Sequence, residues 1–457
     1  MKTREPGQHI HIGLDDIDSR YSGCTTYTST LIVRKLLREG AVFTDYPNLI
    51  RLNPNIPWKT KGNGAVALRF RHENPEKLFK IVVNAVEEKS ETEDDIASPG
   101  MVMLISKSIP EQVRQFAGKA LSDVLSKKLV IKLIDENRML YRTLGGGRGL
   151  IGGVAAIGNT LTGDHTYELL AYRRKENWGT ERRVDTSSIL YMDTRTGVHT
   201  FNNYDHEKKR VLITPRGPDP VLLGIRGETP ESVFNALNLL KIFEPIDSYI
   251  TFRTNQGTGE HLREPLDPHV MKAYSSRYFH GQILEAPHIE IGGHVYFKVG
   301  VNGVEVDCAI YEPAGSLRKT ALELMIGDVI EVGGGVRRGT SNHPKMLNIE
   351  YLRVLKMVEK TVLSNPFCRV CGSRMKSQGR RQPVRCGKCG FEDRQAGKIM
   401  CKEDRNLVKG LYLPPLGSQR HLTKPLQRYG LERRWVKLHH PTHKKIVMST
   451  DAGNIDS

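Results

Sequence analysis

Residues 9–30 read HIHIGLDDIDSRYSGCTTYTST. A short β-rich run ends in three carboxylates within four positions, Asp15, Asp16 and Asp18, and helix-like sequence begins just beyond Gly23, Thr25 and Thr26. A strand that delivers acidic oxygens to one loop suits a hard divalent cation such as magnesium, which keeps part of its water. The N–H groups at the following helix start favour an anion. Loop, cation ligands and helix start together make a phosphoryl-transfer site of the strand–loop–helix kind. The rival reading, an Asp-rich surface turn that caps a helix, has the same composition. No G-x-x-x-x-G-K-[ST] run is present, so the loop is not a Walker A sequence.

Outward from this stretch the alternation continues. TYTSTLIVRKLLREG (26–40) reads as a helix closed by Gly40, GAVALRF (64–70) as a strand, and NPEKLFKIVVNAVEEKS (74–90) as a helix opened by Asn74-Pro75. GMVMLI (100–105) and PEQVRQFAGKALSDVL (110–125) repeat the pair, which predicts an α/β or α+β domain. A glycine-rich segment, LGGGRGLIGGVAAIG (144–158), marks a change and resembles a phosphate cradle with Arg148 inside it. Beyond it TYELLAYR (166–173), SSILYMDT (187–194), PVLLGIRG (220–227) and DSYITFRT (247–254) read as strands, and TPESVFNALNLLK (229–241) as a helix.

From residue 280 the texture shifts to short strands with turn signals, HGQILEAPHIEIGGHVYFKVGVNGVEVDCAIYE, then a helical GSLRKTALELM and two further strands, 327–336 and 347–357. Five strands with a helix between the third and fourth predict a small OB barrel. Tyr296, Phe297, Tyr311 and Arg337-Arg338 are its candidate nucleic-acid contacts, although aromatic residues also simply fill barrels.

Four of the seven cysteines fall within 22 residues, CRVCGSRMKSQGRRQPVRCGKCG (368–390). Cys368, Cys371, Cys386 and Cys389 form two C-x-x-C knuckles, each followed by glycine, and four thiolates satisfy tetrahedral zinc with no open position. The zinc is therefore expected to be structural; an iron–sulfur centre is the alternative. Such a pattern belongs to a reducing compartment, and the cytoplasm is the expected location. The net charge is +17, and residues 368–457 carry +13 of it. With no run apolar enough for a membrane span or a signal peptide, that excess points to nucleic acid. Lys59 and Lys61, beside Gly62-Asn63-Gly64, are candidates for triphosphate oxygens. The polar runs PRGPDPVLLGIRG (215–227) and FRTNQGTGEHL (252–262) suit a ligand pocket.

Several of these stretches, in order from residue 9 to about 425, together resemble one family: GLDDIDS…GCTTY, RLNPNIPWKTKGNGAVALRF, GGGRGLIGGVAAIGN, TYELLAYR, PVLLGIRGE and RTNQGTGEHL, followed by the OB-like and four-cysteine segments. They are similar to the archaeal tRNA(Ile) 2-agmatinylcytidine synthetases, or agmatidine synthases. The resemblance implies a multidomain α+β chain: a kinase-like ATP and magnesium domain over 1–144, a ferredoxin-like agmatine-binding domain over 145–275, an OB-fold over 276–358, and a zinc ribbon with a basic tail over 359–457. It implies an ATP-dependent ligase that joins agmatine to C2 of the wobble cytidine of a CAU-anticodon isoleucine tRNA. It also implies that Asp15, Asp16 and Asp18 hold magnesium and ATP phosphates, and that Thr25 receives a phosphoryl group.

Gly23, Thr26, Lys61 and Arg148 are the expected ATP contacts. A dicationic amine needs carboxylates and carbonyls, so Glu168, Asp219, Asn255 and Gln256 are the expected agmatine contacts. Two other classes remain open: a non-catalytic single-strand-binding protein built on the OB and zinc-ribbon parts, and the same chemistry on another amine. The triple-aspartate loop argues against the first, because a pure binder has no use for it.

Overall fold

The computed structural model describes residues 7–18, 24–59, 62–89, 97–218, 220–341, 343–379, 382–433 and 446–449. Its N-terminal part runs β1 (Gln8–Asp15), α1 (Thr25–Arg38), β2 (Val42–Phe43), β3 (Asn48–Arg51), β4 (Gly64–His72), α2 (Pro75–Glu87), β5 (Gly100–Ile105), α3 (Glu111–Ala120), α4 (Lys127–Glu136), β6 (Leu140–Thr143) and α5 (Gly149–Gly158). The middle part adds β7 (Thr166–Arg173), α6 (Thr186–Thr196), β8 (Thr200–Phe201), a small hairpin of β9 (Tyr204–Asp205) and β10 (Arg210–Val211), β11 (Val221–Gly227), α7 (Pro230–Leu237) and β12 (Ile246–Thr254).

These two parts share one sheet, in the order β6-β5-β1-β4-β3-β12-β7-β11-β8. The seam is the parallel pairing of β3 with β12, Asn48 opposite Arg253 and Leu49 opposite Thr254. Asn255 prolongs it with its side chain: Oδ1 accepts from the Arg51 N–H at 2.8 Å, and Nδ2 donates to the Arg51 carbonyl at 2.9 Å. On one face of the N-terminal half, Ile10, Ile12 and Leu14 pack with α1 and α2; on the other, Val102, Leu104, Ala65 and Ala67 pack with α3, α4 and α5. Asn74 caps α2 by accepting from the Lys77 N–H, as its Asn-Pro start predicts.

Two sequence expectations give way here. The glycine-rich segment is mostly helix α5, every residue of which except Ile151 is buried. Its helical glycines serve close approach, since a Cβ on Gly13 would overlap the Gly153 carbonyl oxygen and one on Gly152 would overlap Asp15 Oδ2, whereas Gly145 and Gly147, at φ 66° and 74°, turn the chain ahead of the helix. SSILYMDT is helix α6, not a strand. Asp185 caps it by accepting from the Ser188 N–H, and Ser188, Ile189 and Met192 are its buried face, a helical spacing that the β-rich composition hides.

Residues 276–356 form β13 (Ser276–Ile289), β14 (Val295–Val301), β15 (Val304–Ile310), α8 (Ser316–Leu322), β16 (Val329–Arg337) and β17 (Met346–Lys356). The strand order is β15-β14-β13-β16-β17, and a parallel β15–β17 pairing closes it into a five-stranded barrel. Phe297 fills its core, so it is not a surface contact. The barrel docks on the N-terminal part through polar contacts: Asn53 Nδ2 donates to the Tyr274 carbonyl, Asn55 Nδ2 to Ser276 Oγ, and Arg277 pairs with Asp123.

Beyond β18 (Lys360–Ser364) comes a sheet of three short strands, β19 (Met375–Ser377), β20 (Val384–Cys386) and β21 (Glu392–Asp393), with Cys386 ending β20 and the other three cysteines of the cluster in the flanking turns. β22 (Ile399–Glu403) pairs back on β18, and β23 (Gly410–Tyr412) joins the barrel at β17. The chain then returns to the middle part. There Arg428, fully buried, pairs with both Asp164 and Glu228 and donates to the Gly257 carbonyl. A last strand, β24 (Val447–Ser449), lies on β12 beside the seam.

Candidate active site at the sheet seam

β1 ends by presenting Asp15 against the helix backbone at Gly152. Burial and the neighbouring charge of Asp16 push the Asp15 carboxyl well above its usual range, with Asp18 adding to the effect; an Asp16 backbone N–H and Arg148 oppose it. Asp16 takes the left-handed conformation at φ 59° and accepts from Arg148 at 3.0 Å (Nε) and 2.7 Å (NH2). Asp18 Oδ1 accepts from the Thr25 N–H at 2.7 Å, so the third carboxylate sits at the N-terminus of α1. The Thr25 hydroxyl is buried and has no hydrogen-bond partner among the described residues. Thr26 Oγ1 lies 3.3 Å from Cys24 Sγ.

Asp15, Asp16 and Arg148 line a cleft together with Trp58, Lys59 and Asn63; Leu52, Ile56, Val124, Leu125 and Ile151 give it an apolar wall. The sequence brings Asp15, Asp16 and Arg148 into one place, as expected, but through ion pairing with an arginine that caps α5. Gly23, Lys61 and Asp219 lie outside the described residues.

Across the seam, Glu168 on β7 is buried and accepts from Arg226 Nε at 2.9 Å and from Gln256 Nε2 at 2.5 Å. Arg51 NH2 stands 3.8 Å from its second oxygen. Glu168, Asn255 and Gln256 are therefore brought together, and Gln256 keeps a buried Oε1 with no hydrogen-bond partner among the described residues. The Arg51 guanidinium feels the charge both of this group and of Asp18. Burial is the main influence lowering its pKa, Glu168 opposes that on one side, and Asp18 and Cys24 oppose it from the other. Sequence reasoning missed Arg51, Arg226 and His421, since a lone arginine in a strand carries no local signal.

At the far end of the chain the four cysteine Sγ atoms lie within 4.8 Å of one another, with closest pairs at 3.5 and 3.4 Å. Among the described residues no other group of three or more His, Cys, Asp or Glu converges in this way. Zn–S bonds of about 2.3 Å in a tetrahedron separate sulfurs by roughly 3.8 Å, so the set fits structural zinc. Gly372 and Gly390 take φ of 71° and 75° and turn the two knuckles. Arg374, Lys376, Arg385 and Lys388 are exposed around them. On the barrel, Tyr296 stacks on His343, and Arg337 lies 4.9 Å above the Tyr311 ring.

These features define a multidomain mixed α/β protein with a C-terminal zinc ribbon and an acidic cleft between the end of β1 and the start of α5. The family models for the TiaS TCKD domain, the TiaS FLD domain and the TiaS C-terminal zinc ribbon domain match residues 11–144, 147–261 and 365–407. The isoleucine-tRNA 2-agmatinylcytidine synthetase TiaS of Cenarchaeum symbiosum (strain A) is 40% identical over 429 residues, covering 93% of this chain and 94% of that one. A crystal structure of apo TiaS, an agmatidine synthetase of isoleucine tRNA, superimposes with a TM-score of 0.83 at 36% identity, over 92% of this chain and 97% of the other. A crystal structure of TiaS in complex with its isoleucine tRNA, AMPCPP and agmatine does so with a TM-score of 0.80 at 34% identity, over 92% and 97%. The chain belongs to the TiaS family of isoleucine-tRNA 2-agmatinylcytidine synthetases.

Proposed function

We propose that this protein is an ATP-dependent ligase that joins agmatine to C2 of the wobble cytidine of the CAU-anticodon isoleucine tRNA. The observation that carries the reading is the strand-to-helix loop itself, where Asp15 and Asp16 line a cleft with Arg148 and Lys59 and Asp18 caps the helix that begins at Thr25. Phosphoryl transfer and amine capture are the two halves of such a reaction, and relatives of end-to-end similarity include a complex with isoleucine tRNA, an ATP analogue and agmatine.

The C2 oxygen of cytosine is a poor leaving group, so it is first phosphorylated with ATP. Asp15, Asp16 and Asp18 hold magnesium, which when bound neutralises charge on the phosphates. The donors share one loop but are not yet gathered, Asp16 being paired with Arg148 and Asp18 with the Thr25 N–H, so they would draw together around the bound cation; Asp15, its charged form disfavoured by burial and by Asp16, would gain most from it. The apolar wall of the cleft takes the adenine, Arg148 fixes Asp16, and Thr25 at the start of α1 receives a phosphoryl group on its hydroxyl. Glu168, Gln256 and Asn255 form the amine side; Gln256 Oε1 accepts from an agmatine N–H.

In the finer architecture the N-terminal part is kinase-like. The β12-β7-β11-β8 order with two helices supports a ferredoxin-like middle domain, and the closure of β15 on β17 supports an OB-fold. The barrel and ribbon hold the tRNA. The test is mass spectrometry of the wobble nucleoside after incubation of the tRNA with protein, ATP, magnesium and agmatine. A cytidine heavier by agmatine minus water, absent without ATP, is the expected result; an unchanged cytidine overturns the reading.

A further inference from the structure

The seam carries more positive charge than its carboxylate balances. Arg51 and Arg226 come from strands of different parts of the chain, β3 and β11, and share the single carboxylate of Glu168, at 3.8 and 2.9 Å. Their side chains are 15% and 18% exposed, so neither is a solvated surface charge. Arg51 Nε is buried with no partner among the described residues. His421, from the C-terminal return segment, lies against both: its Nδ1 is 3.3 Å from Arg226 NH2. Its Nε2 and Arg51 NH1 converge on one spot, at 3.1 and 2.5 Å from where a Cβ on Gly62 would stand. The same histidine reports the local potential. Arg51 first, then burial, Arg226 and Arg420 drive its pKa well below the ordinary value, so it sits neutral in a field that repels a proton. A half-buried cluster that repels protons and holds two guanidiniums fixed on one carboxylate favours an oxyanion.

We propose that Arg51 and Arg226, with His421 beside them, form the oxyanion site that holds the phosphoryl group on O2 of the wobble cytidine while the amine displaces it. This rests on the ligase reading above and adds the residues that act on the leaving group. In that step the free-base amine nitrogen of agmatine bonds to C2. The C2–O bond breaks with its electron pair on oxygen, and one amine proton passes to the departing group, which leaves as hydrogen phosphate. Two guanidinium donors stabilise the charge that develops on that oxygen. Glu168 orients both arginines without cancelling them, and Gln256, bound to its second oxygen, sets the amine beside the leaving group. Fixed planar forks suit a phosphate better than a lysine does.

The experiment uses the full-length protein with CAU-anticodon tRNA and ATP labelled in its terminal phosphate. In Arg226→Gln, discharge of the labelled phosphate from the wobble cytidine by agmatine slows on the order of 10²-fold, a larger loss than that of its transfer from ATP to the cytidine. Arg226→Lys, which keeps the charge, recovers part of the discharge rate. Equal loss in both half-reactions, or unchanged discharge, overturns the proposal. Calorimetric titration with inorganic phosphate tests the site apart from the reaction: wild type binds and Arg226→Gln does not. No phosphate binding by wild type also overturns it. Failure of wild type to label cytidine at all, with phosphate still bound, overturns the ligase reading and the cytidine assignment while leaving an anion site.

Discussion

The seam and the zinc ribbon are both rich in arginine, yet they use it in opposite ways. Around the cysteines the charges are exposed; two that are paired, Arg369 with Asp393 and Arg385 with Glu392, have 70% and 55% of their side chains in solvent. Their interactions are screened by salt, and they act together on a polyanion rather than singly. At the seam Arg69, Arg253 and Arg51 sit on β strands at or near the join, and Arg428 is buried in the middle part beside it. Each is tied to named oxygens: Arg69 to the Asn48 side chain and the carbonyls that end α5, Arg253 to Asp45 and two carbonyls, Arg428 to two carboxylates. Composition finds the first kind of arginine and misses the second. The lesson is that net charge marks a surface suited to a polyanion, whereas buried, oriented arginines tie distant segments together and leave no trace in composition.

The largest test of that contrast is removal of the metal. The ribbon core consists of Cys368, Met375 and Cys386 with Cys371, Val384 and Phe391 against it, too little to fold unaided. Zinc coupling is worth about 10–16 kcal/mol in comparable small sites, so Cys386→Ser or chelation should leave residues 365–407 open to limited proteolysis and weaken tRNA binding. Phosphoryl transfer at saturating RNA should survive; its loss would break the division between the regions.

Next comes Arg428→Ala, which strands the buried Asp164 and Glu228 carboxylates without their shared partner. A loss of about 3–5 kcal/mol in denaturant unfolding is expected, and a change below about 1 kcal/mol would mean those carboxylates find water or another cation.

Asp16→Ala breaks the ion pair with Arg148 and removes one carboxylate from the loop. It should lower single-turnover agmatidine formation by roughly 10²–10³-fold while tRNA affinity measured by filter binding stays near wild type.

Asp15→Asn probes the same loop through stability. The folded chain holds the Asp15 proton more tightly than the unfolded chain does, so wild type loses stability as pH rises from the ordinary carboxylate range through the raised folded value. The variant should therefore show a higher Tm in metal-free buffer, by a margin that widens with pH over that window. A margin that does not change with pH would contradict the electrostatic cause.

The smallest effect belongs to the ribbon surface. Arg385→Ala and Lys388→Ala should each reduce the slope of log K against log salt by about one, with little effect on turnover.

Much of the fold was legible because periodicity and punctuation agree in most segments. Asn74-Pro75 opens α2, Gly40 closes the turn after α1 at φ 86°, and the knuckle glycines fall where tight thiolate turns need them. The failures share a cause. SSILYMDT has strand-like composition, and only the Asp185 cap and the Ile189–Met192 spacing mark it as helix. The run at 144–158 looks like a ligand loop, because a helix that must touch Gly13 and Gly100 needs the same glycines. The barrel and ribbon were visible as units, whereas the pairing of β3 with β12 joins residues some 205 positions apart and leaves no local trace. Polarity singled out Glu168, Asn255 and Gln256, which the fold brings together. Arg51 and His421 acquire meaning only once three distant segments meet.

That pairing also bears on separability. A boundary near residue 145 looks like a natural place to divide the chain, yet a cut there would strip β3 of its neighbour and bare a row of backbone donors and acceptors. Such an edge invites another molecule to add a strand. The N-terminal and middle parts are in this sense one module in two sequence installments, closed by a third from the far end of the chain at β24. Fragments made at the sequence boundary should be sticky rather than modular, and grafting one half onto another scaffold would have to bring the other half with it.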